Sequence, residues 1–280
     1  MLKRALIVLE DHMYSRAAIE YGVHLATPGG ITLAGLSVVD VPSIEKSIGP
    51  IPVGGTYYAL REEDQRIGEE KSKISKVDAE FQNLCKEKDV PHICVLREGN
   101  GAQLILDESR YNDLLIMGYT TSISYGRALD KGKTLQHYIV SHGITSTLLI
   151  PSIFRPINKV LLCYDGSIQA TKTIHEFVRL GLHKDREVTL LTVQKRENQE
   201  ACSYLLKRMG EYLQSCYQLQ FNSVCLHGHP HEIIPQYAAQ ENMDMIVIGA
   251  FGKQTLHHFF FGGTVDAFLT RSDTPIFVFH

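Results

Sequence analysis

The sequence predicts an α/β fold of two tandem, doubly wound, five-stranded parallel-sheet domains. Short, continuously apolar segments alternate with longer helical patterns along the whole chain, which is the signature of a parallel sheet covered on both faces. The series then runs a second time. The connections between strands are long enough for right-handed crossovers.

The elements follow in order. In the first half the strands are Ala5–Leu9, Ile31–Val38, His92–Leu96, Leu114–Met117 and Leu148–Ile150. In the second they are Lys159–Tyr164, Glu187–Val193, Ser223–Leu226, Met245–Ile248 and Ile276–Phe279. Helical patterns run through Ala26 after the first strand and through Leu182 after the sixth. Glu10 and Asp165, and likewise Leu36 and Leu191, stand 155 residues apart, whereas Asp113-Leu-Leu-Ile-Met-Gly118 and Asp244-Met-Ile-Val-Ile-Gly249 stand 131 apart. The first half therefore carries about 24 extra residues, assigned to Asp40–Asp64. Pro42, Gly49-Pro50, Pro52 and Gly54-Gly55 make that stretch an expected surface loop. Pro151–Pro156 reads as a linker, dividing the chain into domains 1–151 and 157–280. The helix expected over Glu197–Cys216 presents Leu205, Leu206, Met209, Tyr212 and Leu213 at core spacing. Arg61–Asp64 and Glu69–Lys73 read as a solvated helix surface.

Composition narrows the function. The 280 residues are 44% hydrophobic and 21% charged, a globular balance that excludes a disordered chain, a collagen and a coiled coil. No apolar run reaches the length of a membrane-spanning helix, and the N-terminal segment reads as a strand rather than a signal peptide. A formal net charge of −3 offers no basic footprint for nucleic acid. The six cysteines form no C-x-x-C pair; they read as reduced core thiols of a cytoplasmic protein.

In open parallel sheets, ligands bind beyond the carboxyl ends of the strands, where strand order reverses. Glu10-Asp11, Asp165-Gly166-Ser167, Val193, Gly118 and Gly249 fall there. After the ninth strand comes Gly249-Ala-Phe-Gly252, then nine residues, then Gly262-Gly263-Thr264 at a predicted helix start. A polyphosphate needs converging N–H donors, and glycine lets the backbone approach it. A helix N-terminus adds free N–H groups and partial positive charge, and Thr264 adds a hydroxyl.

These residues resemble the ATP loop of the universal stress protein family. Asp165-Gly166-Ser167 is similar to that family's first turn. Gly228-His-Pro230 before a helix and Thr274-Pro275 before the last strand are also similar. The resemblance covers the chain as two tandem copies and implies strand order 3-2-1-4-5 in each. It implies that Asp165 and the Val193 backbone hold adenine, and that Gly249, Gly252, Gly262 and Gly263 hold ribose and phosphates. Ile248, Thr264 and Val265 complete the expected site. Gly263 stands where the family usually carries Ser or Thr. In the first copy Thr121 replaces the second glycine, Gly132 falls one residue late, and Glu10-Asp11-His12 replaces Asp-Gly-Ser. That copy reads as having lost or weakened nucleotide binding.

Other signals are set aside. Gly132-Lys133-Thr134 lacks the glycine at 127 and the preceding strand that a P-loop requires. His227, His229 and His231 would share a strand face and could bind zinc, but Pro230 starts a helix there and splays them. His257 and His258 read as loop histidines. No nucleophile elbow occurs, and no metal site or catalytic residue is assigned. The leading expectation is a cytoplasmic stress-response protein that binds ATP, with or without Mg, in the second copy as a regulatory ligand. The alternatives are a slow ATP-hydrolysing or phosphate-transferring enzyme, with weak ATPase activity at most, and a nucleotide-free interaction scaffold. The last strands of the two copies are expected to pair antiparallel, and a homodimer is expected, with Phe259, Phe260 and Phe261 either forming its surface or packing into the core.

Overall fold

The computed structural model describes residues 1–280 apart from 28, 50, 52–54, 122, 124–133, 195–198 and 250–272. The first half runs β1 (Arg4–Leu9), α1 (Ser15–Ala26), β2 (Thr32–Val39), α2 (Val41–Ile48), α3 (Thr56–Glu87), β3 (His92–Glu98), α4 (Gly101–Ser109), β4 (Leu114–Gly118), α5 (Leu135–His142) and β5 (Ser146–Ile150). The second half runs β6 (Lys159–Cys163), α6 (Ile168–Arg179), β7 (Glu187–Gln194), α7 (Gln199–Tyr217), β8 (Asn222–His227), α8 (Pro230–Gln240), β9 (Met245–Gly249) and β10 (Ile276–Phe279).

The ten strands among the described residues share one sheet in the order β3-β2-β1-β4-β5-β10-β9-β6-β7-β8. Each half, taken from its own first strand, has order 3-2-1-4-5, as expected. Pairing is parallel within each half and antiparallel only at the centre, where Ile276, Phe277 and Val278 stand opposite Leu149, Leu148 and Thr147. The two apolar edge strands thereby satisfy each other's backbone groups, and the expected pairing within one chain is what the structure has. Alternation along β1 puts Ala5, Ile7 and Leu9 in one core and Leu6 and Val8 in the other. Each core runs beneath both halves of the sheet.

Three expectations need correction. Residues 40–64 are not one long loop. Pro42 lies in the first turn of α2, where its missing N–H costs nothing, and Gly49, at φ +79°, ends that helix. The chain is helical again from Thr56. The buried residues of α3 are Ile74, Val77, Phe81 and Cys85, so its first half, with Arg61–Asp64 and Glu69–Lys73, is surface, as expected. Second, the outermost strands β3 and β8 are largely exposed. They lie at the ends of the sheet and are not covered on both faces. Third, the cysteines are not all reduced: Cys202 and Cys225 form a disulfide with Cα atoms 6.2 Å apart, while Cys85, Cys94, Cys163 and Cys216 are free. The residues of the expected dimer surface, Phe259, Phe260 and Phe261, lie outside the described residues.

The linker is held by α1. Phe154 meets Tyr21 edge-on at 4.8 Å and His24 at 5.6 Å. The Arg155 N–H donates to the Tyr21 hydroxyl (3.2 Å), and the Ile157 N–H donates to His24 Nε2 (3.3 Å). Burial raises the Tyr21 pKa to about 12, so the ring stays a neutral phenol. Among the described residues, no helix is long and apolar enough to cross a membrane.

Candidate functional site

In the second half, β6 has β7 on one side and β9 on the other. The crevice of a doubly wound sheet opens at such a reversal, beyond the strand ends. Four expected residues are described there: Asp165, Val193, Ile248 and Gly249. Gly252, Gly262, Gly263, Thr264 and Val265 lie outside the described residues, as do His257 and His258.

The turn after β6 explains its own sequence. Asp165 is exposed, and its Oδ1 accepts from the Ser167 N–H at 2.9 Å. Gly166 between them has φ +79°, a conformation that costs glycine least. Ser167 is the N-cap of α6, its hydroxyl accepting from the Ala170 N–H at 3.2 Å. One Asp165 oxygen thus sets the turn. Burial pushes the Cys163 thiol up, and the Asp165 carboxylate adds to the shift, so this cysteine is an inert thiol beneath the turn.

Val193 is placed by strand alternation. The Tyr164 N–H donates to the Leu191 carbonyl at 2.8 Å, so the Leu191 peptide groups face β6. Two residues on, the Val193 groups face the same side. The β6–β7 register ends at Cys163 opposite Leu191, so Val193 lies beyond the last β6 pair. The Tyr164 carbonyl is already engaged by the Thr192 hydroxyl at 2.9 Å, and the Gln194 carbonyl accepts from the Gly228 N–H at 3.0 Å. The arrangement turns a peptide N–H and carbonyl toward the crevice beside the Asp165 turn.

Gly249 closes the other side, for a packing reason that the sequence did not reveal. A Cβ on it would stand 2.5 Å from the Ala170 N and 2.7 Å from the Gln169 carbonyl carbon. Only glycine lets β9 end directly against the first turn of α6. Ile248 faces the core with 5% of its surface exposed and pairs with Val278, so only its backbone is near the crevice. Beyond the expected set, Ser167, Thr192 and Leu205 also shape the site. Of these, Ser167 was legible as a cap residue following Asp-Gly. His229 stands at the N-cap position of α8 without a side-chain capping bond, and Pro230 occupies the first turn, as expected; the His229 and His231 rings lie 5.5 Å apart and tilted.

The corresponding place in the first half is built differently. The Thr121 hydroxyl donates to Glu10 Oε1 at 2.5 Å and accepts from the Ile123 N–H at 3.0 Å, bridging the ends of β1 and β4. Tyr14 stacks on His12 at 5.3 Å, and its Cβ would be 2.6 Å from a Cβ on Gly118. Ile123 is buried, and its Cγ2 lies where a Cβ on Gly101 would stand. In the first half the Glu10 carboxylate after β1 is thus bound by the Thr121 hydroxyl after β4, while the counterparts of Thr121 and Ile123 in the second half lie outside the described residues.

Comparison with known proteins agrees with this architecture. Residues 156–280 match the model of the Universal stress protein family. Universal stress protein Slr1230 of Synechocystis sp. is 21% identical over 291 residues, covering 99% of this chain and all of that protein. A universal stress protein from Archaeoglobus fulgidus superposes with TM-score 0.67 at 15% identity, covering 99% of this chain and 95% of its own. A Pseudomonas aeruginosa protein of unknown function superposes with TM-score 0.58 at 11% identity, covering 99% and 92%. Both solved structures share the fold over nearly the whole chain. The strand order is the same in both halves, and residues 156–280 form a domain of the universal stress protein family.

Proposed function

We propose that this protein binds an adenine nucleotide in the second-half crevice, at the carboxyl ends of β6, β7 and β9, as a regulatory ligand in stress response. The observation that carries this reading is the contrast between the halves. Asp165 stands exposed beside the Val193 peptide groups, whereas in the first half the Glu10 carboxylate that follows β1 is bound by the Thr121 hydroxyl. The ligand we propose is ATP with Mg. Asp165 and the Val193 backbone would take the base, and the backbone at Ile248 and Gly249, with Gly252, Gly262, Gly263, Thr264 and Val265, would take ribose and phosphates. The domain limits 1–151 and 157–280, the cytoplasmic setting and a homodimer belong to the same proposal.

Titration calorimetry tests it. One ATP per chain is expected, with binding lost in Asp165→Ala and kept in Thr121→Val. Two equal sites per chain, or binding untouched by Asp165→Ala, would overturn the reading. Light scattering at micromolar concentration tests the dimer, and a monomer there removes it from the proposal.

A further inference from the structure

We propose that Cys202 and Cys225 form a redox-active thiol–disulfide pair, and that its state sets how firmly the start of α7 is held against the Asp165–Ser167 turn. The coupling to ligand rests on the nucleotide reading above; the redox pair itself does not.

The pair sits where an external thiol can reach one sulfur but not the other. Cys225 belongs to β8, the last strand of the sheet, and stands opposite Thr192. Val224 and Leu226 on either side of it pack into one core, so alternation turns Cys225 to the opposite face, which α7 covers through Met209 and Leu213. Cys225 is half-buried at this free edge, whereas Cys202 is fully buried in the first turns of α7. The geometry therefore directs attack to the Cys225 sulfur.

The bond also reaches the candidate site. Cys202 and Leu205 are three residues apart and share a face of α7. The Leu205 side chain lies over Gly166: a Cβ there would meet its Cδ2 at 2.8 Å. A continuous path of bonds and packing thus runs from Cys225 in β8 through Cys202 and Leu205 to the turn that sets Asp165. The intact disulfide fixes the start of α7 to the sheet. Once it opens, that end of the helix loses its covalent tie to the sheet, and a region with fewer ties opens at lower cost.

The chemistry balances with a cellular dithiol as co-reactant. Its thiolate attacks the Cys225 sulfur, forming a mixed disulfide, and Cys202 leaves and takes up a proton. The dithiol's second thiol then attacks its own sulfur in the mixed disulfide, releasing Cys225 as a thiol. The protein gains two electrons and two protons, and the dithiol becomes a disulfide. In the proposed cytoplasmic setting, disulfides are mostly transient and redox-sensing rather than permanent.

The full-length protein is equilibrated in glutathione buffers from strongly oxidising to strongly reducing and then alkylated. It is also followed by hydrogen exchange with and without dithiothreitol. Cys202 and Cys225 are expected to become alkylated together as the buffer turns reducing and to be protected again on reoxidation. Amides of 199–206 and 164–168 are expected to exchange about tenfold faster after reduction. The Cys225→Ser protein should show the fast exchange with or without dithiothreitol, and the wild-type comparison decides the matter if that variant does not fold. Alkylation of both cysteines in every buffer, protection in every buffer, or exchange unchanged by reduction would each overturn the proposal. Exchange that responds to reduction while neither form binds ATP would leave the pair standing and remove the nucleotide reading; ATP binding with unresponsive exchange would do the reverse.

Discussion

Asp113 and Asp244 make the same bonds in the two halves. The Asp113 Oδ2 accepts from the N–H groups of Lys3 and Arg4 at 2.8 and 3.0 Å. The Asp244 Oδ2 accepts from those of Asn158 and Lys159 at 2.9 and 2.8 Å. Each carboxylate precedes the fourth strand of its half and ties down the beginning of the first, which lies beside it in the sheet. Hydrogen bonds to an ionised acceptor are among the stronger ones, and both groups are half-buried. Asp113→Ala and Asp244→Ala should each cost about 2 kcal/mol, measured as a shift in urea midpoint at constant slope. Asparagine at either position should recover part of that loss. A loss below about 0.5 kcal/mol in both alanine variants would show that these bonds do not fasten the strands.

The reason glycine stands at 249 leads to a second expectation. Gly22 and Gly249 both lack room for a Cβ, but their obstacles differ. At Gly22 the nearest atom is the Cδ1 tip of Ile7, which a rotamer change can move. At Gly249 the obstacles are backbone atoms of Gln169 and Ala170, which move only with α6. Gly249→Ala should therefore destabilise by about 3 kcal/mol and Gly22→Ala by about 1 kcal/mol. Equal losses in chemical denaturation would mean that α6 yields as readily as a side chain. Binding data on Gly249 variants are informative only after their stability has been measured.

Histidines at the junction make stability depend on pH. Burial, with the Arg186 charge nearby, holds His24 below its ordinary value of 6.5, and its Nε2 accepts from the Ile157 N–H. Protonation would remove that acceptor. Burial also lowers His183, helped by Lys184 and Arg186, and lowers His175. In this window the unfolded chain binds more protons than the folded one, so stability rises with pH. The contribution is complete above pH 6.5 and is lost as pH falls from there through the folded-state values. Unfolding midpoints should thus decline between pH 7 and pH 5, with a flatter decline in His24→Gln. A midpoint that rises on acidification over that range would contradict the sign.

The sequence displayed what depends on periodicity and hid what depends on meeting in space. Apolar runs located the ten described strands to within two residues at either end; the eight inner ones are buried on both faces and have little choice of composition, while β3 and β8 kept short apolar runs at the exposed sheet ends. The repeat of Asp113 and Asp244 was visible, while the backbone groups they hold were not, since the partners lie more than 80 residues away. Cys202 and Cys225 gave no signal, because 23 residues of helix and turn separate them and each sits in ordinary apolar surroundings. Glycine and proline density misled at 40–64, where Pro42 and Gly49 mark the ends of a helix. The candidate site was legible as Asp-Gly-Ser and Val193 at strand ends. The Glu10–Thr121 bond of the first half was legible only as a missing glycine at 121, because it joins residues 111 apart.

Base selectivity follows from the Asp165 turn. Under the nucleotide reading, one Asp165 oxygen is committed to the Ser167 N–H and the carboxylate's remaining lone pairs can accept from the amino group of adenine. Guanine presents a carbonyl at the same ring position, which would face a carboxylate with no donor between them. Leaving that group unpaired costs about 1–3 kcal/mol, so ATP should outcompete GTP by about 5- to 150-fold. Asp165→Asn separates turn from base. Its carbonyl can keep the Ser167 bond, so stability should stay within about 0.5 kcal/mol of wild type. Its amide N–H can now donate to a guanine carbonyl, so the ATP preference should shrink toward parity in competition titrations. If Asp165→Asn keeps the full preference for ATP, the base is read elsewhere in the crevice and Asp165 serves only the turn.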